Sequence, residues 1–489
     1  MMVRDPHHPE EDRGSDLPAR GSHIHLIAIC GVGMASLAGL LQSQGYRVTG
    51  SDQHVYPPMS TYLEGLRIPV LQGFSGGHLR ERPELVVIGN AVSRNNPEVE
   101  AVLRLEIPYV SFPQSLGRFL IGPKRSIVIA GTHGKTTTTA LLAWVLSRAG
   151  WEPSFFIGGI PIDFDSGFKQ GRGDWAVLEG DEYDSAFFDK GPKFLHYKPE
   201  KVILTSVEFD HADIYRDLAH LKEAFQRLAE MIPPAGALLA CSEYEAGKEV
   251  AARARCPVTF YGDREASDWQ ARNIRVEDGG SLFEPCYRGR SEGAVKMRLL
   301  GRHNVSNALA VYAMGRELGI EREVLRDGLA SFSGVKRRQE LKGEVAGITV
   351  IDDFAHHPTA VKGTIEAVRA GYPGRRLWAI FEPRSNTSRR RIFAREFAQA
   401  LSAADRVIVA GLYQPEKIPE PERLPAAEVV RDINRLCGDS RALFIEKAGE
   451  IPAHVAGEAR AGDVILVMSN GGFDGVQEKI LRLLEEKSG

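Results

Sequence analysis

Cysteine is scarce and scattered. Cys30, Cys241, Cys256, Cys286 and Cys437 form no C-x-x-C pair, and an odd count at such spacing argues against a disulfide framework or a structural zinc site. A reducing cytoplasm is the expected compartment. No apolar run is long enough to span a bilayer, and residues 1–20 are polar, without the hydrophobic core of an export signal; they read as a disordered tail. Nor does one sign of charge dominate. The 61 Lys and Arg against 64 Asp and Glu leave a formal charge of −3, with no long run of like charges, so neither nucleic acid nor membrane is expected as a partner. Internal repeats and low-complexity stretches are missing as well. What the chain has is length and apolar content: 489 residues, 43% hydrophobic, exceed what one core fills and predict about three domains.

The most informative stretch is Gly131-Thr132-His133-Gly134-Lys135-Thr136-Thr137, directly after the apolar run Ser126–Ala130. A strand, a glycine turn, a lysine and a hydroxyl make a cradle for ATP phosphates. Backbone N–H groups wrap the phosphates, Lys135 neutralises charge and Thr136 is placed to ligate Mg²⁺. The spacing is G-x-x-G-K-T, with Ile129 where the usual longer pattern has its first Gly.

Upstream, the apolar run His23–Cys30 enters Gly31-Val32-Gly33, then the helical pattern Met34–Gln44 and a second strand that ends at Asp52. This is a nucleotide-binding βαβ start with Ser36 at the third glycine position, and Asp52 lies at the distance of a ribose-binding acid. Strands at Leu85–Gly89 and Tyr109–Val110 continue the unit to about Gly122. A second α/β unit, 123–333, carries strands near Trp175–Glu179 and Lys201–Ser206 and a helix near Leu218–Met231. After Pro233–Gly236 the pattern reads as irregular until a helix introduced by Leu299–Asn304. A third unit, 334–489, has strands at Ile348–Ile351, Leu377–Phe381, Arg406–Ala410 and Asp463–Met468. Alternating β and α elements predict three α/β domains on largely parallel sheets.

Acidic residues cluster at two strand ends, Glu179–Asp184 and Glu208–Asp213. Strand ends of a parallel sheet converge on one rim, so Glu179 and His211, with Thr136, form the expected shell for Mg²⁺ held against ATP phosphates. His303 and Asn304 either read an adenine edge or cap the helix they precede. Asp352–Pro358 ends a third-domain strand, where it is either a functional loop or a turn closed by Pro358, and Glu382–Thr387 ends the next, offering Arg384 to clamp a substrate carboxylate.

Together, Gly131–Thr138, Asp210-His211, His303–Asn307 and Asp352–Pro358 resemble the Mur ligases, ATP-dependent amide-forming enzymes of the bacterial cell wall. Gly89-Asn90-Ala91, Tyr56–Ser60, Asp181–Lys190, Lys193–Tyr197, Glu208–Ile214, Glu382–Thr387 and Val467–Phe473 resemble in particular the branch that acts on a murein tripeptide. The resemblance implies a Rossmann-like first domain over 21–122 holding UDP-N-acetylmuramate on Gly31, Gly33, Met34 and Asp52. It implies a central ATPase domain in which Gly131, Thr132, His133, Gly134, Lys135, Thr136, Thr137, His303, Asn304 and Asp353 bind ATP with Mg²⁺. It further implies a Rossmann-like third domain that brings the peptide amine to the cleft, with His356 and Arg384 as substrate contacts and Lys135, Glu179 and His211 as catalytic residues. The rival within the family joins L-alanine to UDP-N-acetylmuramate. A dehydrogenase using Gly31–Asp52 for NAD leaves the phosphate loop unexplained. Two departures stand out: Gly180 replaces the usual Ala of the acidic motif, and no lysine near Lys222 matches the carbamoylated one of other branches.

Overall fold

The computed structural model describes residues 17–55, 59–164 and 166–488. Most of the tail expected over 1–20, and Tyr56, Pro57 and Pro58 of the Tyr56–Ser60 stretch, lie outside the described residues. Residues 18–21 do not hang free: Tyr46 donates its hydroxyl to the Pro18 carbonyl at 3.1 Å, and Gly21 N–H donates to Gly45 O at 2.9 Å.

Among the described residues, three main sheets follow one another along the chain. The first is wholly parallel, in the order Val70–Gln72, Arg47–Asp52, His23–Ile27, Leu85–Ile88, Tyr109–Ser111. His23–Ile27 is buried at every position, as a central parallel strand covered on both faces must be. The chain then turns through Gly31 into the helix Val32–Ser43. A Cβ on Gly33 would lie 3.2 Å from the Phe112 ring, a close approach that a glycine makes without displacing the ring.

The central sheet is mixed rather than parallel throughout. Its middle runs Ser154–Phe156, Trp175–Gly180, Arg125–Ala130, Lys201–Leu204, Ala237–Cys241, Val258–Tyr261, all parallel. The region expected to be irregular therefore supplies two core strands. Ala237–Cys241 is a five-residue run buried at every position, hidden in the sequence by the Pro233–Gly236 break before it. Beyond it, Trp269–Glu277 and Gly280–Tyr287 form an antiparallel hairpin. Asp278 and Gly279 join them with φ of 50° and 73°, the left-handed pair that a tight hairpin turn requires.

The third sheet runs Glu340–Val345, Ile348–Asp353, Val464–Met468, Leu377–Phe381, Arg406–Ala410, Ala442–Ile445, parallel except for the first strand. Its edge strands Glu340–Val345 and Ala442–Ile445 are additions to the sequence reading. We propose 122/123 and 333/334 as the domain joints, since each falls between two sheets.

The two joints differ in chemistry. One continuous apolar core runs from Leu26 and Leu37 of the first unit through Phe119 and Ile121 to Phe156, Phe194 and Tyr197 of the second. The two apolar cores of the third unit draw only on its own residues. Its seam with the central unit is mostly polar, with Val335 in the central core and Leu300 against Gly371 as apolar exceptions. Thr359 Oγ1 donates to Glu208 Oε1 at 3.1 Å, Asn386 Nδ2 to Asp213 Oδ2 at 2.8 Å, and Arg338 Nη2 to Thr136 Oγ1 at 3.3 Å.

Gly180 closes the strand that carries Glu179. A Cβ there would stand 2.6 Å from Val128 Cγ1 and 3.2 Å from Ala130 Cβ, both in the buried neighbouring strand. Val has little χ1 freedom to yield. Gly180→Ala is expected to destabilise the central domain by about 1–3 kcal/mol through overpacking, read as a lower thermal midpoint. An unchanged or higher midpoint contradicts this packing account.

Candidate active site

The phosphate loop owes its shape to two glycines. Gly131 has φ 129°, and a Cβ on it would sit 2.4 Å from Thr205 Oγ1 and 2.7 Å from the Ser206 backbone. Gly134 has φ 80° and opens the helix Lys135–Arg148, with Asn307 Oδ1 2.5 Å from where its Cβ would be. The loop is tied to the next strand end: Thr132 N–H donates to Ser206 O, and Glu208 N–H donates to Thr132 Oγ1, each at 3.0 Å. With an N-terminal turn of free N–H groups behind it, this is an anion cradle.

Lys135 is not free in that cradle. Its ammonium donates to both oxygens of Glu182, at 3.0 and 2.9 Å, and to Gly131 O at 2.6 Å. Burial works against the charge, but the carboxylates of Glu182, Asp181 and Glu179 outweigh it and hold the lysine protonated more firmly than usual. The Glu182 side chain is wholly buried, and His211 Nε2 lies 2.9 Å from its Oε1. His211 sits in the left-handed region, φ 56°, a strained conformation kept by its neighbours. Burial lowers its basicity, yet the Glu182 hydrogen bond and charge raise it more.

Thr136 Oγ1 donates to Glu179 Oε1 at 2.8 Å, and the other Glu179 oxygen accepts Gly158 N–H at 2.7 Å. The expected metal shell therefore divides. Thr136 and Glu179 touch, whereas His211 is paired with Glu182 and reaches the loop through that residue and Lys135. Asp181 is held ionised, at about 2: burial opposes this, and Lys193, whose ammonium lies 2.7 Å away, and Lys135 prevail.

A cavity of about 280 Å³ opens beside the loop, lined by His133, Gly134, Thr137, His303, Asn304 and Asp353 among others. Six of the ten expected ATP contacts thus share one cavity; Gly131, Thr132, Lys135 and Thr136 form the rest of the loop behind it. Burial, then the charges of Arg338 and His133, push His303 down to about 4, so it is neutral near pH 7. Asn304 lends its side-chain amide to Leu300 O at 2.9 Å. Asp353 accepts N–H groups of Ala355 and Gln339, both at 2.8 Å.

Other expected residues are placed elsewhere. Asp52 accepts Cys30 N–H at 2.9 Å and His54 N–H at 3.0 Å, bracing the Gly31 turn. Met34 is 6% exposed and packs in the first unit's core. His356 Nε2 stands 4.0 Å from Asp210 Oδ2 across the polar seam. Arg384 lies with its guanidinium carbon 3.6 Å from the centre of the Tyr413 ring and Nη1 3.4 Å from Glu382 Oε1, poised by stacking and by one weak pair. Glu182 and Arg338 are the site residues that the sequence reading left without a role. Glu182 was within the acidic cluster; Arg338, stacked 4.6 Å over Phe354 and bonded to Thr136, carried only the signal of paired arginines before a strand.

Three family models match along the chain. Residues 23–122 match the Mur ligase family catalytic domain, 129–315 the Mur ligase middle domain, and 337–471 the Mur ligase glutamate ligase domain. The chain is 40% identical over 477 residues to the Escherichia coli UDP-N-acetylmuramate–L-alanyl-γ-D-glutamyl-meso-2,6-diaminoheptandioate ligase, covering 95% of this chain and 99% of that one. It superposes on a murein peptide ligase from Psychrobacter arcticus with TM-score 0.70 at 36% identity, over 95% and 99% of the two chains. The UDP-N-acetylmuramate–alanine ligase of Thermotoga maritima gives TM-score 0.78 at 25% identity, over 95% and 100%. Three domain matches in order and full-length identity at this level leave one assignment: the chain belongs to the Mur ligase family.

Proposed function

We propose that this chain joins L-alanyl-γ-D-glutamyl-meso-diaminopimelate to UDP-N-acetylmuramate, forming an amide at the expense of ATP, in the recycling of peptidoglycan in the cytoplasm. The observation that carries the substrate assignment is the 40% identity, over both full lengths, to the E. coli relative named for that reaction. The alanine ligase superposes at the higher TM-score but at 25% identity, and a rigid-body score responds to domain arrangement as well as to kinship; identity is the better guide to substrate here. No helix among the described residues is long and apolar enough to cross a membrane.

The chemistry follows from the site. A carboxylate resists attack by an amine, and phosphorylation by ATP converts it into an acyl phosphate with a good leaving group. Loop N–H groups and Lys135 face the phosphates, where fixed positive charge contributes most to phosphoryl transfer. Mg²⁺ fits the hard oxygens of Thr136 and Glu179, already 2.8 Å apart, and when bound would neutralise charge on the transferring phosphoryl group. Glu182 keeps Lys135 charged and aimed along the loop. His303, Asn304 and Asp353 line the cavity in which the nucleoside would lie. Gly31, Gly33, the Met34 backbone and Asp52 form the turn for the UDP pyrophosphate, and His356 and Arg384 meet the incoming peptide.

The tripeptide brings carboxylates that must be paired when they leave water, and Arg384 is the cation offered for one of them. The kcat/KM for the tripeptide is expected to exceed that for free L-alanine by orders of magnitude. Arg384→Ala is expected to lower it about tenfold or more while the KM for ATP holds. A preference for L-alanine would move the chain to the biosynthetic branch.

Removing Lys135 does more than remove a phosphate contact. Lys135→Ala leaves the buried Glu182 carboxylate with His211 alone, and breaking such a pair costs about 3–5 kcal/mol. Lys135→Ala is expected to abolish ligation and to lower the thermal midpoint. Adding Glu182→Gln should restore most of the midpoint and none of the ligation. A Lys135→Ala protein that keeps the wild-type midpoint would contradict the ion pair.

A further inference from the structure

A second constellation lies where the phosphate loop meets the third domain, and the ligase reaction does not use it as a unit. His133 of the loop, Glu208 beyond the strand Lys201–Leu204, and His357 at the N-cap of the helix Pro358–Gly371 each offer one ligand atom, all within 4.8 Å of one another. The two imidazole rings are 4.7 Å apart at their centroids and tilted by 43°. His133 Nε2, Glu208 Oε2 and His357 Nε2 are all buried, and none makes a hydrogen bond. His133 Nε2 and Glu208 Oε2 stand 2.8 Å apart without the alignment a hydrogen bond needs. Buried polar atoms that converge without satisfying one another are costly, and each such group in a fold calls for a partner.

Two imidazole nitrogens and one carboxylate oxygen, with a fourth position left for water, are the donor set of a tetrahedral zinc-type site. We propose that His133, Glu208 and His357 bind one Zn²⁺-class ion, which pins the third domain to the phosphate loop. The site differs in kind from the Thr136–Glu179 pair, whose hard oxygens suit Mg²⁺; imidazole gives Mg²⁺ little.

The surroundings favour metal uptake. Glu208 is anchored through its other oxygen, which accepts Thr359 Oγ1 at 3.1 Å, and through its N–H to Thr132. Burial and the neighbouring His133 push His357 down to about 4, so it is neutral at pH 7. His357 Nδ1 accepts Thr359 N–H at 3.3 Å, which puts the ring proton on Nε2 in the metal-free protein. Metal binding at Nε2 moves that proton to Nδ1 and gives up this bond, which is at the long end of the hydrogen-bond range. Because the ligands come from two domains, the ion is held only when the seam is closed.

The test uses the full-length protein, freed of metal and held in excess Mg²⁺. Equilibrium dialysis with Zn²⁺ should give one ion per chain, and Co²⁺ should give the intense visible absorption of a tetrahedral centre. Glu208→Gln and His357→Gln should each weaken Zn²⁺ binding by about a hundredfold and abolish the rise in thermal midpoint that Zn²⁺ gives the wild type. Glu179→Gln, which alters the Mg²⁺ oxygens, should leave Zn²⁺ binding unchanged. Three results would overturn the proposal: no bound Zn²⁺ in excess Mg²⁺, undiminished binding in the two variants, or loss of binding in Glu179→Gln instead. Metal content and spectra are measured on unliganded protein, so a failure of the zinc site is distinguishable from a failure of the ligase reaction.

Discussion

Everything at the centre of this molecule hangs on a carboxylate that has no access to water. Glu182 is wholly buried, and a bare charge there would be prohibitive. It is tolerable because Lys135 binds both of its oxygens, His211 joins one of them, and Tyr215 donates its hydroxyl to the residue's own carbonyl at 2.6 Å. The same contacts that neutralise Glu182 fix the loop and the rim: the lysine lies back along its loop, and the strained His211 is held at the acidic rim. Such a pair adds little net stability over an apolar substitute, but losing one partner is expensive. Its value is geometric, since it links the loop after Arg125–Ala130 to the acids after Trp175–Gly180 and Lys201–Leu204.

The three domains stand in unequal relation to that centre. An apolar core crosses the first joint without interruption, so the Gly31 turn and the loop Gly131–Thr137 belong to one packed body. The second joint is made of hydrogen bonds and partly buried charges, such as Thr359 on Glu208 and Asn386 on Asp213. Water can replace such contacts at modest cost, whereas it cannot replace a core. Among the described residues few apolar contacts cross that joint, chiefly Leu300 on Gly371 and Val335 in the central core, so the third domain parts from the centre at less cost than the first.

The sequence showed the loop, the strands that feed the rim and the order of the domains, because glycine at special φ and short buried apolar runs are local signals. It did not show the strands Ala237–Cys241 and Val258–Tyr261, which follow the break at Pro233–Gly236; runs as short as Leu377–Phe381 were read where helical patterns alternate with them. Within Glu179–Asp184 no local rule separates the acid that touches Thr136 from the one that is buried against Lys135; only the sheet decides. Met34, named through the resemblance, has its side chain in the first unit's core, which its place in the helical pattern does not reveal. His356 and His357 are neighbours in sequence, yet one faces Asp210 and the other converges on His133 and Glu208. Which way each ring turns depends on a domain seam that lies more than a hundred residues from the loop it meets.

The central claim is that the loop and its buried ion pair activate a substrate carboxylate by phosphorylating it. The most direct measurement follows oxygen: UDP-N-acetylmuramate carrying ¹⁸O in its lactyl carboxylate is turned over with ATP and the tripeptide, and the released phosphate is weighed. Attack of the carboxylate on the γ-phosphoryl group, followed by attack of the amine at the carbonyl carbon, leaves one ¹⁸O in each phosphate formed. Phosphate free of label, in a reaction that still makes the amide, would contradict the account.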